Sequence, residues 1–325
     1  MKRKWFGLSI IFSVLLFAGC NDQAIDVPDS ENPVMYITHA KEATLSFLNT
    51  EQNKEIGSTE LPYVLTDLIK LSDQSFVGIN SSDTRIQELD LKSGKAQTFM
   101  ELDAGMSKLA YDSSSDILYI SNLKENRIDV VDVKAESKKS TLHLDSAPKE
   151  LKLGENGLLY VLTTEEDEVI IYNPITDQIE SHFSVNSSPA GMYKSTKDVW
   201  LGGHGSNGEL NRNVYVYDPM TGEQTAEVEV GLMPIAITDG EQPNELFVLC
   251  HGDHSLYKIN TETQEVVGKV EVGQNPNDVK RVGNTLYVAN FDSDSISIID
   301  ANDLTLMKTV LVAEGPYFLL SEVDS

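Results

Sequence analysis

The chain has 325 residues, with 51 Asp plus Glu against 25 Lys plus Arg and a formal net charge of -26. Its 40% hydrophobic content is enough to fill a core, which excludes a wholly disordered acidic chain. The charge argues against nucleic acid, whose phosphates are neutralised by Lys and Arg, and two cysteines cannot build a disulfide scaffold.

The N-terminal element is a targeting segment. Lys2, Arg3 and Lys4 precede the apolar stretch Trp5 to Phe17, which is too short to span a bilayer. It ends in Phe17-Ala18-Gly19-Cys20. Small residues before a Cys resemble the lipobox of bacterial lipoproteins, although Phe17 stands where Leu is usual. The resemblance implies a signal peptide over residues 1–19 and lipidation of Cys20. Processing would take the charge from -26 to -29 and leave Cys250 as the sole free thiol. Residues 20–33, polar with two Pro, read as a flexible tether that holds an acidic body off an anionic surface.

From residue 34 the chain is periodic. Hydrophobic-aromatic-hydrophobic triplets centre on Tyr36, Tyr119, Tyr160, Trp200, Phe247 and Tyr287, with a weaker copy at Phe76, so the spacings run from 40 to 47 residues. Each triplet is followed by an alternating run closed by Asp or Asn: Asn49, Asp90, Asp132, Asn173, Asp218, Asn260 and Asp300. A third mark is Pro62, Pro148, Pro189, Pro234, Pro276 and Pro316, with Ser107 in the remaining slot. All three count to seven. Short alternating runs ended by Asx-turn residues signal strands, and a period of 40–50 residues signals a propeller.

The segments Leu118-Tyr119-Ile120-Ser121-Asn122 and Leu286-Tyr287-Val288-Ala289-Asn290 resemble the YVTN repeat, as do Glu229-Val230-Gly231 and Glu271-Val272-Gly273 before Pro234 and Pro276. The resemblance implies an all-β, seven-bladed β-propeller of four-stranded antiparallel blades over residues 34–325. Its units run about 34–74, 75–115, 116–157, 158–198, 199–244, 245–284 and 285–325. Each unit would supply strands b, c and d of one blade and strand a of the next. A C-terminal strand at about 316–322 would close the ring inside the first blade.

In such a ring the b–c loops share the top face with the d–a loops. The b–c loops carry His39, His204, His251 and His254 with Cys250, while His143 and His182 fall on outer strands. Those four His are the candidate ligand-binding set, and His204, Cys250, His251 and His254 are candidate ligands for Cu or Zn. The plain alternative is exposed loop His beside a small buried Cys. The longest loop, 202–213, contains Gly203-x-Gly205-x-x-Gly208, but a strand follows it rather than a helix, so it is no dinucleotide fingerprint. Acidic runs such as 165–168 read as a solvated rim or, alternatively, as a Ca²⁺ or cationic-ligand site. No hydrolase, zinc-protease or Cys-x-x-Cys motif is present in the sequence.

The expectation is a monomeric, exported, lipid-anchored propeller, non-catalytic and without a cofactor, binding a cell-envelope protein or small ligand through its top face. It would face the wall in a Gram-positive cell or the periplasm in a Gram-negative one. The alternatives are a lactonase-, lyase- or quinone-dehydrogenase-like enzyme, by analogy of fold, or a metal-handling lipoprotein.

Overall fold

A computed structural model describes residues 22–30, 32–206 and 208–321. The expected signal peptide and Cys20 lie outside them. Seven four-stranded antiparallel sheets follow one another along the chain, and the last meets the first, giving a seven-bladed β-propeller. The innermost strands are Asp67–Ser72, Met106–Asp112, Pro148–Leu153, Pro189–Lys194, Pro234–Asp239, Pro276–Val282 and Pro316–Ser321. Blade 1 orders Pro316–Ser321, Val34–His39, Thr44–Asn49 and Lys54–Glu60, so the C-terminal strand is its strand a. That pairing runs Met35↔Ser321 through Thr38↔Phe318.

The aromatic triplets are the b strands. Tyr36, Phe76, Tyr119, Tyr160, Trp200, Phe247 and Tyr287 are all at most 3% exposed. They are apolar on both sides because each b strand is covered by a neighbouring blade on each face. Outer strands such as Gln178–Ser184 alternate instead between exposed and partly covered residues. Each buried aromatic contributes roughly 1.5–3 kcal/mol of transfer free energy. Tyr287 also donates from its hydroxyl to the carbonyl of Thr50 at 2.9 Å, joining blade 7 to blade 1.

The closing Asp or Asn does the same work in every blade. Asn49, Asp90, Asp132, Asn173, Asp218, Asn260 and Asp300 each accept from backbone N–H groups two or three residues on, at 2.7–3.3 Å. The residue four places after each has a positive φ: Asn53, Gly94, Glu136, Asp177, Gly222, Gln264 and Leu304. Every c–d hairpin therefore makes one turn, whether or not it has a glycine.

Two readings of the repeat change. The slot equivalent to the motif proline in blade 3 is Met106 rather than Ser107, because strand a begins there. Pro62 stands five residues ahead of its strand a, out of register with the other prolines. Leu65 fills the vacant place: a Cβ added to Gly78 would meet its Cδ1 at 2.6 Å. The weak triplet Phe76-Val77-Gly78 is thus a compensated one.

Part of the expected tether is built into the propeller. Gln23 and Ala24 pair with Ala96 and Lys95 as a fifth strand on the outer edge of blade 2. Ile25 is 5% exposed in the core shared by blades 1 and 2. Asp26 donates its N–H to Thr59 Oγ1 at 2.9 Å, and Gln23 Nε2 donates to the Glu60 carbonyl at 3.0 Å. The segment straps the seam between two outer strands. Polarity and proline made it read as a linker, and one isoleucine anchors it.

Candidate functional site

The top face is defined by hydrogen bonds between b–c loops and the residues that precede each strand a. His204 N–H donates to the Ser188 carbonyl, His251 N–H to Met233, Phe291 N–H to Asn275 and Ala40 N–H to Gly315, at 2.9–3.1 Å. Four blades thus bring His204, His251, Phe291 and Ala40 to equivalent places beside the channel mouth. The His204 and His251 rings lie edge to face, 6.4 Å between centroids. Phe291 and Tyr317 repeat that arrangement, also at 6.4 Å, and Lys41 Nζ lies 4.4 Å from the Phe291 ring centre. His251 Nδ1 meets the Pro276 carbonyl at 3.1 Å, so this nitrogen carries the proton and donates. Burial, then the charges of Lys149 and His251, push the His204 imidazole below its ordinary value.

The other candidates do not join this pair. His39 is fully buried in blade 1, its Nε2 3.0 Å from Ser46 Oγ and its Nδ1 without a partner. Burial lowers it to about 4, against the pull of Glu42. Cys250 is fully buried within strand b of blade 6, and burial pushes its thiol up to about 12. His254 is a turn residue with φ 51°, like Asn126, Asp167 and Asp294 in other b–c turns. Its Nδ1 accepts the N–H of Asn275 at 3.2 Å, as Asp167 Oδ1 accepts Ser188 N–H and Asp294 Oδ1 accepts Gly315 N–H. An imidazole here replaces a repeat carboxylate. Among the described residues no three His, Cys, Asp or Glu side chains are placed to hold one metal ion. The proposed quartet of His204, Cys250, His251 and His254 is therefore not assembled: Cys250 points into the core and His254 is spent on its turn.

The long loop 202–213 forms a two-stranded hairpin, Gly205–Ser206 with Glu209–Leu210. Asn211 pins its base, donating to the carbonyls of Gly203 and Asn213 at 3.3 and 2.8 Å. Gly202 is required by a close approach, since a Cβ there would lie 2.2 Å from the Pro234 carbonyl oxygen of the next blade.

Below the mouth the seven innermost strands enclose a channel cavity of about 610 Å³. Its acidic side chains stitch neighbouring blades. Asp67 accepts Leu109 N–H at 2.7 Å. Glu150 accepts Gly191 and Met192 N–H at 2.6 and 2.8 Å, and Asp278 accepts Leu319 N–H at 2.9 Å. Burial raises Asp67 and Asp278 even so. Lys108 lies 3.6 Å from Asp67. Burial opposes its charge, but Asp67 and Glu150 prevail and hold it protonated. Lys152 and Lys280 also line the cavity. The channel was missed at the sequence level. Its signal was an acid-x-Lys step just inside the motif proline, Glu150-Leu151-Lys152 and Asp278-Val279-Lys280.

No family model and no curated protein matches the sequence. The fold is similar to solved structures. A protein from Lactobacillus plantarum superposes with a TM-score of 0.72 at 16% identity, covering 89% of this chain and 99% of that one. The dihydro-heme d1 dehydrogenase NirN gives 0.68 at 11% identity over 90% of this chain and 69% of its own. Apo AztD from Citrobacter koseri gives 0.61 at 10% identity over 89% and 97%. These likenesses define the class, a seven-bladed β-propeller, and go no further.

Proposed function

We propose that the protein is a non-catalytic recognition propeller of the YVTN-like kind, anchored at the cell envelope through lipidated Cys20, and that the rim of its top face is the binding surface. One observation carries the reading: the arc of His204, His251, Phe291 and Tyr317 around the channel mouth, aromatic side chains from neighbouring blades paired edge to face. The channel carboxylates below are spent on backbone amides, so they serve the scaffold rather than acid–base chemistry. Rings presented on a rigid scaffold suit the capture of an envelope protein or ligand.

The strap alters how such an anchor would work. Only two residues separate Cys20 from Gln23, three Cα steps or no more than about 10 Å of chain. Acyl chains would therefore hold the outer edge of blade 2 close to the bilayer, with the top face turned sideways and open to partners.

A photo-crosslinking residue placed at Phe291 should capture an envelope component on intact cells, and one placed at Lys197 on the opposite face should not. Equal capture from both positions, or none from Phe291, overturns the reading. Cys20→Ala should move the protein out of the membrane fraction, and unchanged fractionation would overturn the anchor.

A further inference from the structure

The geometry points to a small-anion site deep in the channel, in which Lys152 is the principal ligand and Lys280 and Lys108 flank it. The class of ligand is a compact organic or inorganic polyanion carrying carboxylate or phosphate groups. The site lies below the rim and stands independently of the rim's function.

Three features of the channel converge. The first is room. Blades 5 and 6 place Gly191 and Ala236 where blades 4 and 7 place Glu150 and Asp278, two residues after the motif proline. Missing side chains on two adjacent blades leave the cavity of about 610 Å³, within the range of small-molecule sites.

The second is charge. The chain as a whole has twice as many acids as bases, yet this one cavity is lined by Lys108, Lys152, Lys194 and Lys280, as many lysines as it has acids (Asp67, Glu150, Asp239 and Asp278). Lys152 and Lys280 follow Glu150 and Asp278 by two residues, so they extend from the same face of their strands toward the channel. Burial disfavours the charged form of Lys152, Glu150 favours it, and Lys280 and Lys108 disfavour it in turn, so the three ammonium groups act on one another. An anion would add to the attraction that Glu150 supplies and offset the repulsion among the lysines.

The third is the division of labour among the polar groups. Both oxygens of Glu150 accept backbone N–H groups of blade 5. Asp278 accepts Val279 N–H through Oδ1 and Leu319 N–H through Oδ2, at 2.9 Å each. Asp67 takes Leu109 N–H with one oxygen and faces Lys108 with the other. The carboxylates are committed to holding blades together. Lys152 lines the cavity, exposed to solvent, with no hydrogen bond or ion pair among the described residues. Lys152 is solvent-accessible on the channel wall while the oxygens of neighbouring Glu150 are engaged by backbone amides, so its ammonium is available to an anion that enters the channel.

The test uses the purified full chain with citrate, succinate and inorganic phosphate as probes, at constant ionic strength, read by calorimetric titration and thermal shift. At least one probe should bind saturably with one site per chain. Lys152→Met should weaken that binding at least tenfold and Lys152→Arg should largely restore it, while Lys92→Met on an exposed c–d turn should change nothing. Lys152→Met should melt no lower than the parent, because it removes a repelling charge. Absence of saturable binding by all three probes overturns the site. So does an equal response of the parent and Lys152→Met, which would mark a general salt effect. Loss of rim crosslinking with anion binding intact would leave this site standing, and the reverse would remove it alone.

Discussion

Individual side chains show how far a repeat constrains chemistry. His39 was a candidate ligand at the top face, but its neighbours make it a core residue, neutral and lowered to about 4 by burial, with Glu42 and Asp294 pulling weakly the other way. Its effect on stability has a definite sign. Above pH 6.5 the folded and unfolded chains both hold His39 neutral. As the pH falls from 6.5 toward 4 the unfolded chain takes up a proton that the folded one refuses, so stability is lost, by ~3 kcal/mol in full. Urea midpoints at pH 7.5 and pH 5 should show this loss in the parent, and His39→Asn should flatten it. An unchanged slope would place the acid sensitivity elsewhere. The turn residues make a second case. Gln264 is exposed and held at φ 58°, a conformation that costs a residue with a Cβ about 1 kcal/mol. Gln264→Gly should raise stability by about 0.5 kcal/mol after the entropy cost of glycine, measurable by denaturant unfolding.

Among the elements, the strands were legible and the strap was not. A buried strand needs a run of apolar residues, and seven such runs stand out at regular spacing. The strap at residues 22–30 pairs through backbone atoms, for which sequence carries no signal, and buries only Ile25 deeply. Ile25→Ala should lower stability by about 2 kcal/mol, and hydrogen exchange should rise in both 22–30 and the outer strand Lys95–Glu101. Exchange unchanged in the outer strand would mean that the strap merely rests on the blade. The motif prolines show the same division. Five of them start innermost strands, where a missing N–H is tolerated, whereas Pro62 shares the residue type and not the place.

At the level of the whole molecule, ring closure is the decisive event. Strand Pro316–Ser321 supplies the inner edge of blade 1, and Asp278 and Asn277 of blade 7 bond Leu319 and Tyr317 in it at 2.9 Å. Deleting residues 316–325 would expose strand Val34–His39, fully buried along its length, as an open sheet edge. Such a chain should aggregate on expression, and light scattering of the soluble fraction checks this. A monodisperse truncation with parental melting behaviour would show that the ring does not need its clasp.

What the sequence determined by itself was the architecture. Periodicity in apolar residues, Asx turns and strand-start prolines are local properties repeated seven times, and repetition makes even a weak copy recognisable. What only the tertiary structure decided was how residues from different blades combine. His204 and His251 meet because their blades are neighbours, while His254 is spent on its turn and Cys250 lies in the core. Lys108, Lys152 and Lys280 meet because the ring brings distant repeats to one axis. Side chains that converge on the ring axis come from positions 44 and 128 residues apart. No local pattern records that meeting, because the channel exists only once the ring has closed.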